Sequence, residues 1–132
     1  MLCFDGSEEA KEGLVLAGEH ARAFNGEVVV VASHIIDDKD YPARIEPSEK
    51  GLREAESFLG ANGIPCKTLL LFRGFEDNAG EHLVAVAREK EIDEVIVGIR
   101  NRSKVGKLLL GSVAQYVILH AECPVIGVKR RY

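Results

Sequence analysis

Residues 94–113 read EVIVGIRNRSKVGKLLLGSV, and this pattern predicts a buried strand, a basic loop and the start of a helix. The β-branched run 95–97 stops at Gly98, which is typical of a strand buried on both faces of a parallel sheet. A loop with four positive side chains and no acidic one follows, and Gly111-Ser112 then opens a helical pattern. A buried strand, a cationic loop and a helix start together favour an anion such as phosphate, although a loop of this kind can also simply face water.

Composition limits the class of protein. The chain has 132 residues, of which 46% are hydrophobic, so we expect one domain, residues 1–132, with a full core. A net charge of −4 argues against a protein whose whole surface binds nucleic acid or an anionic membrane. The three cysteines have no metal-ligand spacing and indicate a reducing compartment. No apolar run approaches about 18 residues and no signal peptide precedes the first strand, so the sequence predicts a cytoplasmic protein without a membrane segment.

Short apolar runs alternate with helical patterns along the whole chain. The five predicted strands lie near residues 1–4, 28–32, 66–72, 95–97 and 125–128. Four helical patterns connect them, so right-handed crossovers predict an open, doubly wound five-stranded parallel sheet with helices on both faces. Residues 36–48 contain two prolines and an acidic run, and we expect a polar, mobile connection there.

Several polar residues follow predicted strands. Ligands of doubly wound sheets bind beyond the carboxyl ends of the strands, and Asp5, His34 and Gly98 lie at such ends. Ser7 and Ser112 are suited to cap the first and fourth helices. The four histidines share no metal-ligand spacing, and we favour a structural role for His34 over ligand contact. Because Gly98 lies at the carboxyl end of a predicted strand, a ligand-binding site at the loop after Gly98 is favoured over a plain connection.

Two common phosphate-binding motifs are absent from the sequence. A P-loop needs a first glycine and a hydroxyl after Gly-Lys, where this chain has Asn101 and Leu108. A dinucleotide fingerprint needs three glycines after the first strand, where residues 5–8 read DGSE. Residues 98–112 also contain no acid to hold magnesium or act as a base, which argues against an efficient phosphotransferase.

The pattern that does match is Gly98, two residues, Asn101, nine residues, then Gly111-Ser112. It resembles the G-x2-G-x9-G-[ST] signature of the universal stress protein family, in the adenine-nucleotide α-hydrolase-like fold group. The likeness extends over most of the chain, through residues 5–7 (DGS), 34–37 (HIID) and 123–125 (CPV). The resemblance implies the strand order 3-2-1-4-5.

In the ATP-binding branch of that family, the resemblance implies roles for residues at three strand ends. Asp5 would face the ribose or adenine end of the nucleotide, because a carboxylate suits ribose hydroxyls. Ile35 would pack on the base. Val97 and Gly98 would let the backbone run close to the sugar and the phosphates.

The resemblance places the outer phosphates at the loop between strand 4 and helix 4. Gly111, Ser112 and Val113 would offer backbone N–H groups there, and Ser112 also its hydroxyl. Arg100 could reach a phosphate oxygen, although it could equally face solvent. Asn101 stands where the family has its second glycine; asparagine also visits the left-handed region, but its side chain would occupy space near the phosphates.

By this resemblance the chain is a stress-linked regulatory protein that binds ATP, or ADP or AMP, with magnesium as an accompanying ion and at most slow hydrolysis. It also implies a homodimer through the last strand, Val125–Val128, and an open apolar edge strand does invite such pairing. Three alternatives remain: a nucleotide-free dimeric interaction module, an ATP hydrolase or autophosphorylating protein, and a flavin-binding protein.

Overall fold

The computed structural model describes residues 1–36, 41–100 and 110–131, without the side chains of residues 41–44. Within these ranges strands and helices alternate as the sequence predicts. In chain order the elements are β1 (Leu2–Cys3), α1 (Glu8–Phe24), β2 (Val28–Ile35), α2 (Tyr41–Ala61), β3 (Cys66–Arg73), α3 (Ala79–Glu89), β4 (Val95–Gly98), α4 (Ser112–His120) and β5 (Val125–Val128).

The strands form one parallel sheet in the order β3-β2-β1-β4-β5. This confirms the predicted fold class and strand order. The short strand β1 lies at the centre of the sheet, where Leu2 pairs with Val30 on one side and Ile96 on the other. The order reverses between β1 and β4, so their carboxyl ends border the crevice where such sheets bind ligands.

Both faces of the sheet are covered by helices. Val28, Val30 and Ala32 of β2 pack in a layer with α1 and α2, whereas Val29 and Val31 pack in a layer with α3 and α4. Successive strand residues point to opposite faces, so a strand buried on both sides needs a continuous apolar run. By the same alternation, Ser33 and Ile35 of β2 face the side of the sheet that α3 and α4 cover.

The prediction of a mobile connection over residues 36–48 was wrong from Tyr41 onward, because α2 begins there and contains Pro47. Proline removes one helical hydrogen bond, so the presence of Pro47 in the sequence predicts a later start for this helix. The helix is nevertheless fixed by a buried stripe of Leu52, Ala55 and Leu59. Residues 37–40 lie outside the described residues.

In the part of the chain that the structure describes, none of the helices combines the length and the apolar character that crossing a bilayer requires.

Candidate ligand-binding cleft

A cleft of about 270 Å³ opens at the carboxyl ends of the strands, on the side covered by α3 and α4. Four strand ends and two helices contribute to its walls. The described lining residues are Cys3, Phe4, Asp5, Val31, Ser33, Arg73, Ala79, Leu83, Val97, Gly98, Arg100, Gly111, Ser112, Val113 and Ala114. The walls are thus mainly apolar, with a few polar groups that could fix a ligand's orientation.

Asp5 is held in place just after β1. Its Oδ1 accepts hydrogen bonds from Ser7 N at 3.0 Å and Ser7 Oγ at 2.5 Å, and its Oδ2 accepts one from an Arg100 terminal nitrogen at 2.5 Å. Burial alone would raise the pKa of Asp5, but the hydrogen bonds from Ser7 and the nearby Arg100 charge lower the pKa below its ordinary value. Asp5 is therefore ionised at neutral pH and already paired.

Ser7 connects this carboxylate to helix α1. Its Oγ accepts a hydrogen bond from Ala10 N at 3.2 Å, which confirms the predicted helix cap. Gly6 has φ of 77°, a conformation that glycine adopts without strain. The turn that follows β1 thereby places the start of α1 and the Asp5 carboxylate together at the cleft.

The start of α4 forms another wall of the cleft. The prediction that Ser112 caps this helix was wrong: Gly111 is the cap residue, with φ −59° and ψ 151°, and Ser112 is the first helical residue. Gly111 has no side chain to accept a hydrogen bond from the first turn. The first backbone N–H groups of α4 have no intrahelical acceptor, and the helix dipole is positive there, so this end suits an anion.

Gly98 ends β4 against the first turn of α1. A Cβ atom at this position would lie 2.9 Å from Glu9 Cβ and 3.3 Å from Ala10 N. The resemblance to the family implies that this glycine lets the backbone run close to the sugar and the phosphates. The structure supplies a second reason, which is that α1 leaves no room for a side chain here.

The structure brings most of the predicted site residues together. Those that line the cleft are Asp5, Val97, Gly98, Arg100, Gly111, Ser112 and Val113. Ile35 is not among the lining residues and lies farther out on β2, directly beside Arg73 of β3. Asn101 lies outside the described residues. The binding roles of all nine residues remain predictions.

Sequence reasoning missed Arg73 and Ser33. Arg73 Nε donates to Ser33 Oγ at 3.1 Å, and a terminal nitrogen of Arg73 donates to the carbonyl oxygen of Asp77 at 3.0 Å. The predicted third strand ends at residue 72. One more strand residue would have put Arg73 at a carboxyl end, where the strand-end rule applies.

His34 lies on the opposite face of the sheet from the cleft. Its side chain is 8% exposed, its Nδ1 lies 3.5 Å from Ser48 Oγ of α2, and its ring contacts Phe72 edge to face. This packing fits the structural role that the sequence favoured. Among residues 1–36, 41–100 and 110–131, no group of three or more His, Cys, Asp or Glu side chains could hold a metal ion.

Comparison with known proteins agrees with the sequence signature and the fold. The model of the universal stress protein family matches residues 1–129. A universal stress protein of Thermus aquaticus is 30% identical over 135 aligned residues, which cover 98% of this chain and 96% of that protein.

Two solved structures from Archaeoglobus fulgidus are also similar. A universal stress protein has a TM-score of 0.85 and 34% identity, with 96% of this chain and 95% of that chain covered. A universal stress protein in complex with dAMP has a TM-score of 0.72 and 29% identity, with 96% and 94% covered. The match over nearly the whole chain, in sequence and in fold, shows that this chain belongs to the universal stress protein family.

Proposed function

We propose that this chain is a stress-linked regulatory protein whose cleft binds an adenine nucleotide, AMP, ADP or ATP, with the phosphates at the start of α4. The observation that carries the proposal is that an uncapped helix N-terminus and an ionised carboxylate, Asp5, line the same cleft. The similar protein from Archaeoglobus fulgidus was solved in complex with dAMP, which supports the ligand class.

The polarity of the cleft suggests how the nucleotide lies. Phosphate oxygens would accept hydrogen bonds from the N–H groups of Ser112 and Val113, where the helix dipole is positive. A carboxylate offers about four acceptor positions, and the bonds from Ser7 and Arg100 occupy three at Asp5. The remaining position suits a ribose hydroxyl. The base then extends toward β2 and β3.

Arg100 would respond directly to the bound phosphates. Its guanidinium pairs with Asp5 in the ligand-free structure, and both side chains are about half exposed. A phosphate group offers the same kind of bidentate acceptor as a carboxylate, so a nucleotide competes with Asp5 for this arginine. We expect Arg100 to be shared between the two groups when a nucleotide is present.

ATP with magnesium is the finer form of the proposal. Asp5 is the only carboxylate among the described lining residues, so phosphate oxygens and water would supply most of the magnesium ligands. No described lining side chain is a free base in position to activate water, and Asp5 is engaged by Ser7 and Arg100. Hydrolysis would therefore be slow, in keeping with a regulatory rather than a catalytic role.

Substitution of Gly111 provides a sharp test. A Cβ atom at Gly111 meets no heavy atom of the described residues within 4 Å, and its φ of −59° suits any residue. Gly111→Asp would improve the helix cap while placing a negative charge at the phosphate end. Gly111→Asn has the same shape and also caps well, but it is neutral and serves as the matched control.

Calorimetric titration with AMP, ADP and magnesium-ATP would compare the wild type with these two variants. The proposal predicts that Gly111→Asp loses at least about tenfold in affinity, whereas Gly111→Asn stays closer to the wild type. Circular dichroism would establish that both variants are folded. Equal affinities of the Asp and Asn variants, or a folded wild type that binds none of the three nucleotides, would refute the proposal.

A homodimer through β5 is the proposed assembly. In the described part of the chain β5 pairs with β4 alone, and Val125, Ile126 and Val128 are only partly buried. Nearby on the chain, Leu119 of α4 is 68% exposed. An apolar edge strand is stabilised by pairing with a second copy. Light scattering after size exclusion should give the mass of a dimer at micromolar concentration, and a monomer would contradict this assembly.

We further propose that residues 1–132 act as one ligand-binding domain in the cytoplasm. Support for the location comes from the cysteines: Cys3, Cys66 and Cys123 are all free thiols, as expected in a reducing compartment.

A further inference from the structure

We propose that Ser33 contacts the base of the bound nucleotide and donates a hydrogen bond to the N3 atom of adenine. This inference rests on the proposed function, because it takes an adenine nucleotide as the ligand of the cleft. It adds a base-contacting side chain that lies outside the signature stretch of residues 98–112.

The register of the sheet places Ser33 next to Asp5. Cys3 of β1 pairs with Val31 of β2, and both side chains pack in the layer with α3 and α4. The same register, continued by two residues, brings Asp5 and Ser33 to one level on that side of the sheet. Neighbouring strands are about 4.8 Å apart, and both residues line the cleft. A nucleotide whose ribose is bound by Asp5 therefore has Ser33 within reach of its base.

The hydroxyl group of Ser33 already accepts one hydrogen bond. Arg73 Nε donates to Ser33 Oγ at 3.1 Å, so the hydroxyl hydrogen points away from Arg73. In the part of the chain that the structure describes, Ser33 Oγ takes part in no second hydrogen bond. The hydrogen is therefore available to an acceptor in the cleft. The bond from the charged guanidinium also polarises the hydroxyl and makes it a better donor.

The walls of the cleft increase the effect of this hydroxyl. They are mainly apolar, with Val31, Leu83 and Val97 among the lining residues. A base that enters such a cleft gives up hydrogen bonds to water, and an acceptor that is left unpaired there costs free energy. A hydroxyl that replaces one of the lost water bonds should therefore have a measurable effect on affinity.

N3 is the acceptor of adenine that fits the position of Ser33. Adenine accepts hydrogen bonds at N1, N3 and N7. N3 lies on the minor-groove edge of the base, which also displays the ribose 2′-hydroxyl, whereas N7 lies on the major-groove edge. A ribose hydroxyl bound by Asp5 thus turns the N3 edge toward β2, the neighbouring strand that carries Ser33.

The test measures dissociation constants of AMP, 3-deaza-AMP and 7-deaza-AMP for the wild type, Ser33→Ala and Ser33→Cys. Each deaza analogue has a C–H group in place of one ring nitrogen and so lacks one acceptor. Ser33→Ala should weaken AMP and 7-deaza-AMP by about fivefold, as expected for one neutral hydrogen bond, and leave 3-deaza-AMP unchanged. A thiol is a weak donor, so Ser33→Cys should show the same pattern. Ser57→Ala removes an exposed hydroxyl of α2 and should change none of these affinities.

The outcomes separate this inference from the proposed function. If Ser33→Ala weakens AMP and both analogues equally, Ser33 acts on the ribose, the phosphates or the fold, and the contact with N3 is overturned. Unchanged affinities in Ser33→Ala and Ser33→Cys, both folded by circular dichroism, also overturn it, as does an effect that disappears with 7-deaza-AMP instead of 3-deaza-AMP. In each of these cases AMP binding by the wild type still supports the proposed function. A folded wild type that binds neither AMP nor the analogues refutes both.

Discussion

Replacement of Gly98 by alanine tests how tightly the end of β4 packs against α1 beside the cleft. The added Cβ atom would lie 2.9 Å from Glu9 Cβ, 3.3 Å from Ala10 N and 3.4 Å from the Glu9 carbonyl carbon. Two of these three neighbours are backbone atoms of the first turn of α1. Side-chain rotation therefore cannot relieve the overlap, and either α1 or the end of β4 must shift.

Overpacking of this kind destabilises proteins by about 1–3 kcal/mol, and we expect Gly98→Ala to lose that much unfolding free energy. The loss corresponds to roughly 4 °C in Tm for each kcal/mol in a domain of this size. Urea denaturation would measure it, with Gly26→Ala as the matched control, because a Cβ at Gly26 meets no atom within 4 Å in the part of the chain that the structure describes. Stabilities of Gly98→Ala and the wild type within about 0.5 kcal/mol, the range of neutral surface changes, would refute the reasoning.

Three further predictions concern the turn after β1 and the buried thiol beside it. Ser7→Ala removes the cap of α1 and one hydrogen bond to Asp5, and should lower the unfolding free energy by about 1–2 kcal/mol in urea denaturation. The lowered pKa of Asp5 stabilises the fold at pH values above the pKa in the unfolded chain, and this contribution disappears as pH falls through the folded pKa. The stability difference between the wild type and Asp5→Asn should therefore stay constant above about pH 5 and shrink below about pH 4; a difference that does not change with pH would contradict the role of Asp5. Burial raises the pKa of Cys3 to about 12, so its alkylation at pH 8, followed by mass spectrometry, should be much slower in the folded protein than in urea, and equal rates would argue against the buried position.

The fold was predictable because its main signals are local. The apolar run 28–32 indicates a strand covered on both faces, and Asp5-Gly6-Ser7 indicates a turn into a helix cap. The order of the strands came from the resemblance to the family and not from periodicity. The start of α2 was not predicted, because Pro47 by itself favours the end of a helix. Burial of Leu52 and its neighbours on the same helix face stabilises α2 by more than the proline destabilises it.

The candidate site was predictable only in part. Residues of the signature are close in sequence, and the structure gathers those that it describes around one cleft. Arg73 carries no local signal, because its position at the cleft depends on the register of β3 against β2 and on its bond to Ser33. The pairing of Asp5 with Arg100 joins residues 95 positions apart and likewise has no signature in the sequence.

The central claim is that a nucleotide lies in this cleft with its phosphates at the start of α4. The most direct measurement is a titration of ¹⁵N-labelled protein with AMP, followed through the amide chemical shifts. The account predicts saturable shifts for Ser112 and Val113 and at the Asp5 turn, with no shift for Gly26 or Asn62 at the opposite end of the sheet. Unchanged Ser112 and Val113 amides at saturating AMP, or shifts confined to the opposite end, would contradict it.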